Sequence, residues 1–296
     1  MNKKIIAANF KMNKTPAETQ NYFNVFLELL GEEKFVDLNN KDKNKNSRKK
    51  LNLINSEIIF APSFTSLLET YNRIKNYDGS VKIKLASQNV YYEKSGAYTG
   101  EISIRMIKEC GCSYAIVGHS ERRCIFNETD EMIGKKIKAV YDDSRNNNPD
   151  NHNNYNNDNN YNNNINAGVI PILCVGENLQ TRKKGMESGF VSNQLDKALI
   201  SLKARNIPAL IVAYEPLWAI GTGVPIAPED GETMHRFIYE HLNKNYKIEE
   251  LRILYGGSVT ETNIKPLVKK EHIDGVLVGG ASLDPVVFFD IFKSFV

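Results

Sequence analysis

Several short apolar runs in this 296-residue chain end in residues that can move protons or hold an anion. After Ala209-Leu210-Ile211-Val212-Ala213-Tyr214 comes Glu215, a carboxylate placed where a buried strand leaves its sheet, and so a candidate general base. The stretch that follows, Pro216-Leu217-Trp218-Ala219-Ile220-Gly221-Thr222-Gly223, reads as a lid: a restrained exit, an apolar underside that includes the only tryptophan, and glycines that allow close approach to a ligand. Tyr114-Ala115-Ile116-Val117-Gly118 runs into His119 and Ser120, which offer an imidazole and a hydroxyl. Ile5-Ile6-Ala7-Ala8 runs into Asn9 and Lys11, which offer a donor and a fixed cation. Gly256-Gly257-Ser258 and Gly279-Gly280 end two further runs and present main-chain N–H groups suited to a dianion. A base, a proton donor, a cation and an anion cradle together could face one common small ligand.

Those groups share a site only if the strands that carry them are parallel and close on one another. Eight apolar runs alternate with helix-like segments: 4–9, 58–61, 83–87, 114–118, 169–175, 209–214, 252–255 and 275–278. Eight unbroken strand–helix repeats predict an α/β fold, a single closed parallel (β/α)8 barrel whose strand ends meet around one mouth. Thr15-Pro16-Ala17-Glu18 predicts a helix start, and Gly31 a helix stop.

Such a barrel needs about 250 residues. Two polar segments, 39–50 (Lys/Asn-rich) and 142–164 (Asn-rich), account for most of the excess. Lacking aliphatic residues, they are expected to be disordered insertions in helix-to-strand loops, within one catalytic domain spanning 1–296. Their deletion is expected to leave turnover intact.

Composition narrows the class. Hydrophobic residues at 41% and charged residues at 25% are those of a soluble globular protein, and no apolar run approaches the ~20 residues that span a bilayer. Residues 39–50 hold six basic side chains against one acid, and 142–164 four acids against one base. The remainder is nearly neutral, so neither a nucleic-acid nor a membrane partner is expected. Cys110, Cys112, Cys124 and Cys174 are irregularly spaced and read as reduced thiols in a reducing compartment. His152, His235, His241 and His272 lie away from the strand ends, and no metal site or cofactor is expected. Nothing resembles a secretory leader, and a cytoplasmic location is expected unless an organelle-directing extension once preceded Met1.

Asn9-Phe10-Lys11, Gly118-His119-Ser120-Glu121-Arg122-Arg123, the stretch from Tyr214 to Gly223, Tyr255-Gly256-Gly257-Ser258 and Val278-Gly279-Gly280 together resemble the triosephosphate isomerase family, whose fold is the TIM barrel. Gly96-Ala97-Tyr98-Thr99-Gly100-Glu101 resembles that family's dimer loop, implying a homodimer. The resemblance implies interconversion of dihydroxyacetone phosphate and glyceraldehyde 3-phosphate without a cofactor. It implies Glu215 as base, His119 as neutral electrophile and Lys11 as fixed cation, with Asn9 beside it. It further implies phosphate binding by main-chain N–H groups of Gly221, Ser258, Gly279 and Gly280. The pKa logic behind a neutral His119 is the general one already worked out for this family. Val224-Pro225-Ile226 departs from the family's usual hinge and puts the lid's opening rate in question. The competing readings are another sugar-phosphate barrel enzyme and an inactive barrel kept as an interaction scaffold, with the two polar segments as its binding elements.

Overall fold

Strands buried on both faces are what let this chain close on itself. A computed structural model describes residues 4–38, 56–79, 81–146, 168–220 and 226–295. In it, strands β1 (Lys4–Asn9), β2 (Ser56–Ala61), β3 (Lys82–Ser87), β4 (Tyr114–Val117), β5 (Ile170–Val175), β6 (Asn206–Tyr214), β7 (Lys247–Tyr255) and β8 (Gly275–Val278) form a closed barrel in sequence order. Every neighbouring pair is parallel, and β1 pairs with β8 to complete the ring.

One side-chain set of each strand fills the barrel, with Ile5, Ala7, Ile59, Ala86, Ile116, Ile172, Ile211, Ala213, Leu254 and Leu277 forming an inner core. The other set, including Ile6, Ile58, Leu173, Val212 and Ile253, packs outward against the helices. Complete burial of one such side chain contributes about 1.5–3 kcal/mol. Because strand side chains alternate with period two, inward positions 5 and 7 make 9 inward, 211 and 213 make 215 inward, and 277 makes 279 inward. The pleat of the sheet thus aims residues from separate strands at one mouth. Gly275 marks the tightest strand contact: a Cβ there would stand 1.8 Å from the Ile5 carbonyl oxygen of β1.

The helices are α1 (Pro16–Leu38), α2 (Leu67–Ile74), α3 (Ile104–Glu109), α4 (Ser120–Cys124), α5 (Asp130–Asn146), α6 (Leu179–Lys183), α7 (Glu187–Leu199), α8 (Pro228–Asn245), α9 (Glu261–Leu267) and α10 (Pro285–Lys293). The start of α1 is a reciprocal cap, as its sequence predicts: the Glu18 N–H donates to Thr15 Oγ1 at 3.3 Å, and the Thr15 N–H donates to Glu18 Oε2 at 2.8 Å. An aromatic cluster of Phe10, Tyr22, Phe23, Phe26, Phe60 and Phe288 locks α1 and α10 against β1 and β2.

Several boundaries differ from the sequence reading. Gly31 does not stop α1, which continues to Leu38. A helical glycine costs about 1 kcal/mol against alanine, which good helix formers on either side can absorb. Second, residues 142–146 of the expected insertion complete α5. Asp142 pairs with Arg205 at 2.6 Å and Asp143 with Lys108 at 3.0 Å, so the acids read as insertion anchor a helix end. Third, β6 begins at Asn206 and β7 at Lys247, because the two pair along their whole length. Pro208 is accommodated between the paired residues Ile207 and Ala209. Residues 39–50 and 147–164 lie outside the described residues.

Candidate active site

The mouth holds a cavity of about 260 Å3 lined by Asn9, Lys11, His119, Glu215, Gly256, Gly257, Ser258, Gly279 and Gly280, among others. The residues singled out at the ends of β1, β4, β6, β7 and β8 are therefore brought together. Gly221 lies outside the described residues, as do Thr222, Gly223, Val224 and Pro225.

Glu215 follows β6 and is buried, with 3% exposure. Its Oε2 accepts the Ser120 N–H at 3.0 Å, and its Oε1 stands 3.3 Å from His119 Nε2. Two glycines clear its space: a Cβ on Gly176 would lie 1.9 Å from the Glu215 carbonyl oxygen, and one on Gly256 2.8 Å from its Cγ. Cys174, one strand away, is fully buried, and burial first, then the Glu215 charge, push its thiol far above the usual range. Cys174 is thus a protonated packing neighbour of the carboxylate and not a nucleophile.

His119 is the N-cap of α4, and its Nδ1 accepts the Glu121 N–H at 3.3 Å. A nitrogen that accepts an N–H carries no proton itself. With Nδ1 accepting, Nε2 is the ring nitrogen left to donate, and it faces Glu215.

Lys11 adopts a left-handed backbone with φ of +52°, which a side chain other than glycine takes only when surroundings enforce it. Here the Lys11 N–H donates to Asn9 Oδ1 at 2.9 Å, and Gln88 Nε2 donates to the Lys11 and Ala61 carbonyls at 2.8 and 2.9 Å. The ammonium pairs with Glu121 Oε1 at 2.7 Å, and a Cβ on Gly279 would stand 3.1 Å from Lys11 Cε. Asn9 and Gly279 thus shape the lysine as well as the cavity.

The cradle side departs from expectation at one atom. The Ser258 N–H donates to the Ala219 carbonyl at 2.9 Å, so in this state that donor is engaged by the turn after Glu215. Gly280 begins a 3-10 turn, and a Cβ on it would meet nothing within 4 Å, leaving its open side to the cavity.

Sequence reasoning missed Gln88 and Glu177. Gln88 lies one residue past β3, one of the strands for which no mouth residue was expected. Glu177 lies two past β5, is fully buried, and accepts from Trp218 Nε1 at 2.9 Å and the Tyr214 hydroxyl at 3.0 Å. Burial pushes its carboxyl up, partly offset by those donors. The Arg182 guanidinium lies 5.8 Å from the centre of the Trp218 ring, completing an anchor for the segment after Glu215. The same strand-end rule that found Glu215 could have found both. Arg122 and Arg123 are structural, paired with Glu128 and Asp130.

A larger cavity of about 440 Å3 lies on the other side of Glu215, lined by Ser120, Arg123, Cys174 and Lys197 among others. Its two cations, Arg123 and Lys197, are both paired with Asp130. Among the described residues, no three His, Cys, Asp or Glu side chains gather as a metal-holding group, and no helix is long and apolar enough to cross a membrane.

The family model described as triosephosphate isomerase matches residues 4–146 and 150–295. The triosephosphate isomerase of Aquifex aeolicus is 44% identical, over 99% of this chain and 100% of its own. That of Dictyoglomus thermophilum is 39% identical, over 99% of this chain and 100% of its own. The crystal structure of the enzyme from Bartonella henselae superposes with a TM-score of 0.69 at 27% identity, covering 99% of both chains.

Proposed function

The chain belongs to the triosephosphate isomerase family, and from that premise we propose that Glu215, His119 and Lys11 are its reacting groups. The enzyme is an aldose–ketose isomerase of glycolysis that interconverts dihydroxyacetone phosphate and D-glyceraldehyde 3-phosphate. The observation that carries the residue assignment is the convergence of a buried carboxylate, an imidazole N–H and an ammonium on one cavity of about 260 Å3 walled by glycine backbone.

In the ketose-to-aldose direction, the Glu215 carboxylate takes a proton from the carbon next to the carbonyl. The C–H electron pair forms the enediolate double bond, and the carbonyl oxygen becomes an oxyanion. His119 Nε2–H donates to that oxygen, and the Lys11 ammonium stabilises its charge. The hydroxyl proton of the neighbouring enediolate oxygen passes to the oxyanion by way of His119 Nε2, and the protonated Glu215 returns its proton to the former carbonyl carbon as the new carbonyl forms at the other. In the state described here both Glu215 oxygens are engaged, by the Ser120 N–H and by His119. The carboxylate must therefore turn into the cavity to act. Main-chain N–H groups of Gly279 and Gly280, with Ser258 once it exchanges the Ala219 carbonyl, hold the phosphate. A coupled assay with triose phosphates in heavy water tests this. We expect turnover with deuterium incorporated at the reacting carbon; a folded chain without turnover would overturn the reading.

The working unit is a homodimer formed through residues 96–101. Tyr98 is 42% exposed at the tip of that loop, between Gly96 and Gly100, both at positive φ, and its ring centre lies 4.9 Å from that of Tyr91. Met12, Ile125 and Phe126, at 96%, 66% and 63% exposure, add apolar surface from the segment after Lys11 and the end of α4. Covering these exposed side chains with a second copy would remove them from water. Sedimentation of Tyr98→Glu should show monomer where the parent sediments as a dimer; a monomeric parent overturns the dimer. The four free thiols fit a reducing compartment, and the cytoplasm is the proposed location.

A further inference from the structure

Ser258, Val259 and Thr260 line the reacting cavity, yet the side chain that fixes their path is Asn263, inside α9. It makes three hydrogen bonds. Its Oδ1 accepts the Thr260 N–H at 2.9 Å, and its own N–H donates to Thr260 Oγ1 at 3.3 Å, forming a capping box. Its Nδ2 then reaches past the cap and donates to the Ser258 carbonyl at 3.0 Å. Because one partner is an N–H and the other a carbonyl, the amide can sit only one way round. The Ser258 peptide is thereby held at both ends, by Asn263 at its C=O and by the Ala219 carbonyl at its N–H.

The choice of residue is informative. Capping boxes usually place Glu or Gln at this position, and an acid is the better companion to a helix start. A carboxylate here could still accept from Thr260, but it has no donor for the Ser258 carbonyl. It would also add negative charge beside the wall of a cavity that receives a dianion. Only an amide serves the cap, the loop and the ligand together.

We propose that Asn263 is a positioning residue for phosphate binding: it sets the course of residues 256–260 and thereby affinity for the phosphoryl group of the substrate. This rests on the triose phosphate reading of the same cavity. The test compares D-glyceraldehyde 3-phosphate with D-glyceraldehyde, which meets the same acid–base groups and lacks the phosphate, in the full-length protein and in Asn263→Asp. We expect the ratio of kcat/KM for the phosphorylated over the unphosphorylated substrate to fall about 10- to 100-fold, the size of a lost hydrogen bond plus a misplaced charge. Competitive inhibition by inorganic phosphate should weaken in step. Asn263→Ala carries the same comparison without the added charge should the Asp variant fold poorly, and its ratio should fall in the same direction.

Equal losses on both substrates, or an unchanged ratio with unchanged phosphate inhibition, would reduce Asn263 to an ordinary helix cap and overturn the proposal alone. A parent protein with no turnover of the phosphorylated substrate would overturn the underlying reading, and the proposal with it.

Discussion

At the mouth of the barrel Asn9, Lys11, His119 and Glu215 stand around a cavity of about 260 Å3; at its base Tyr239, Glu249, Arg252, His272 and Asp274 line another of about 330 Å3. Side-chain chemistry alone hardly separates the two ends. What separates them is how the polar groups are partnered. Around the base the Tyr114 hydroxyl donates to Glu57, Lys4 Nζ to the Ile273 carbonyl at 2.7 Å, the Ile253 N–H to Asp274 at 2.9 Å, and His272 pairs with Glu232 at 2.6 Å. Burial, then Glu57, push the Tyr114 hydroxyl well above its usual range, which keeps it a donor. At the mouth, Lys11 and Lys14 take left-handed backbones, glycines clear the room around Glu215, and the carboxylate accepts the Ser120 N–H. A cavity with titratable walls becomes a reacting site when its groups converge and can be released.

The contrast predicts rate effects at one end and stability effects elsewhere. Lys11→Met should cost the most, lowering kcat/KM by about 1,000-fold, roughly 4 kcal/mol of transition-state stabilisation, with circular dichroism unchanged. Steady-state kinetics decide it, and a loss below about tenfold would put Lys11 in the same class as the base residues.

His235 belongs to neither end. It is fully buried in α8, its Nδ1 2.7 Å from the Gly231 carbonyl and its ring against Tyr214. Burial lowers it from 6.5 to about 4. Between those values the unfolded chain binds more protons than the folded one, so stability rises with pH there and is lost as pH falls from about 6.5 toward 4. The expected loss is up to about 3 kcal/mol, read by urea denaturation, and His235→Gln should flatten that slope. A slope that persists in the variant would assign the acid sensitivity elsewhere.

The smallest effect belongs to the base. Tyr114→Phe removes a donor from buried Glu57 and should cost about 1–2 kcal/mol of stability while kcat stays within about twofold. A large loss of turnover in that variant would erase the distinction between the two ends.

The residues that line the mouth were legible because each sits at or just after the end of an apolar run, where local sequence fixes position: Asn9, Lys11, His119, Glu215, Ser258, Gly279 and Gly280. The residues that hold them were not, because their partners are remote in sequence. Gln88 is 77 residues from Lys11, whose carbonyl it grips, and Glu177 is 41 residues from Trp218. The end of α5 was misplaced for the same reason, its acids being anchored by Lys108 and Arg205 from other elements. Gly31 was misread because a glycine that ends a helix and one that sits inside it look alike until the following turn is seen. The eight-fold alternation, by contrast, depends only on local hydrophobic pattern, and the barrel follows from it.

Shortening the base while keeping its charge probes the central claim most directly. Glu215→Asp draws the carboxylate back by one methylene, leaving the cavity and its cation in place. In a coupled triose phosphate assay, kcat should fall by about 100- to 1,000-fold while competitive inhibition by inorganic phosphate is retained. A variant that turns over within a few-fold of the parent would contradict the account.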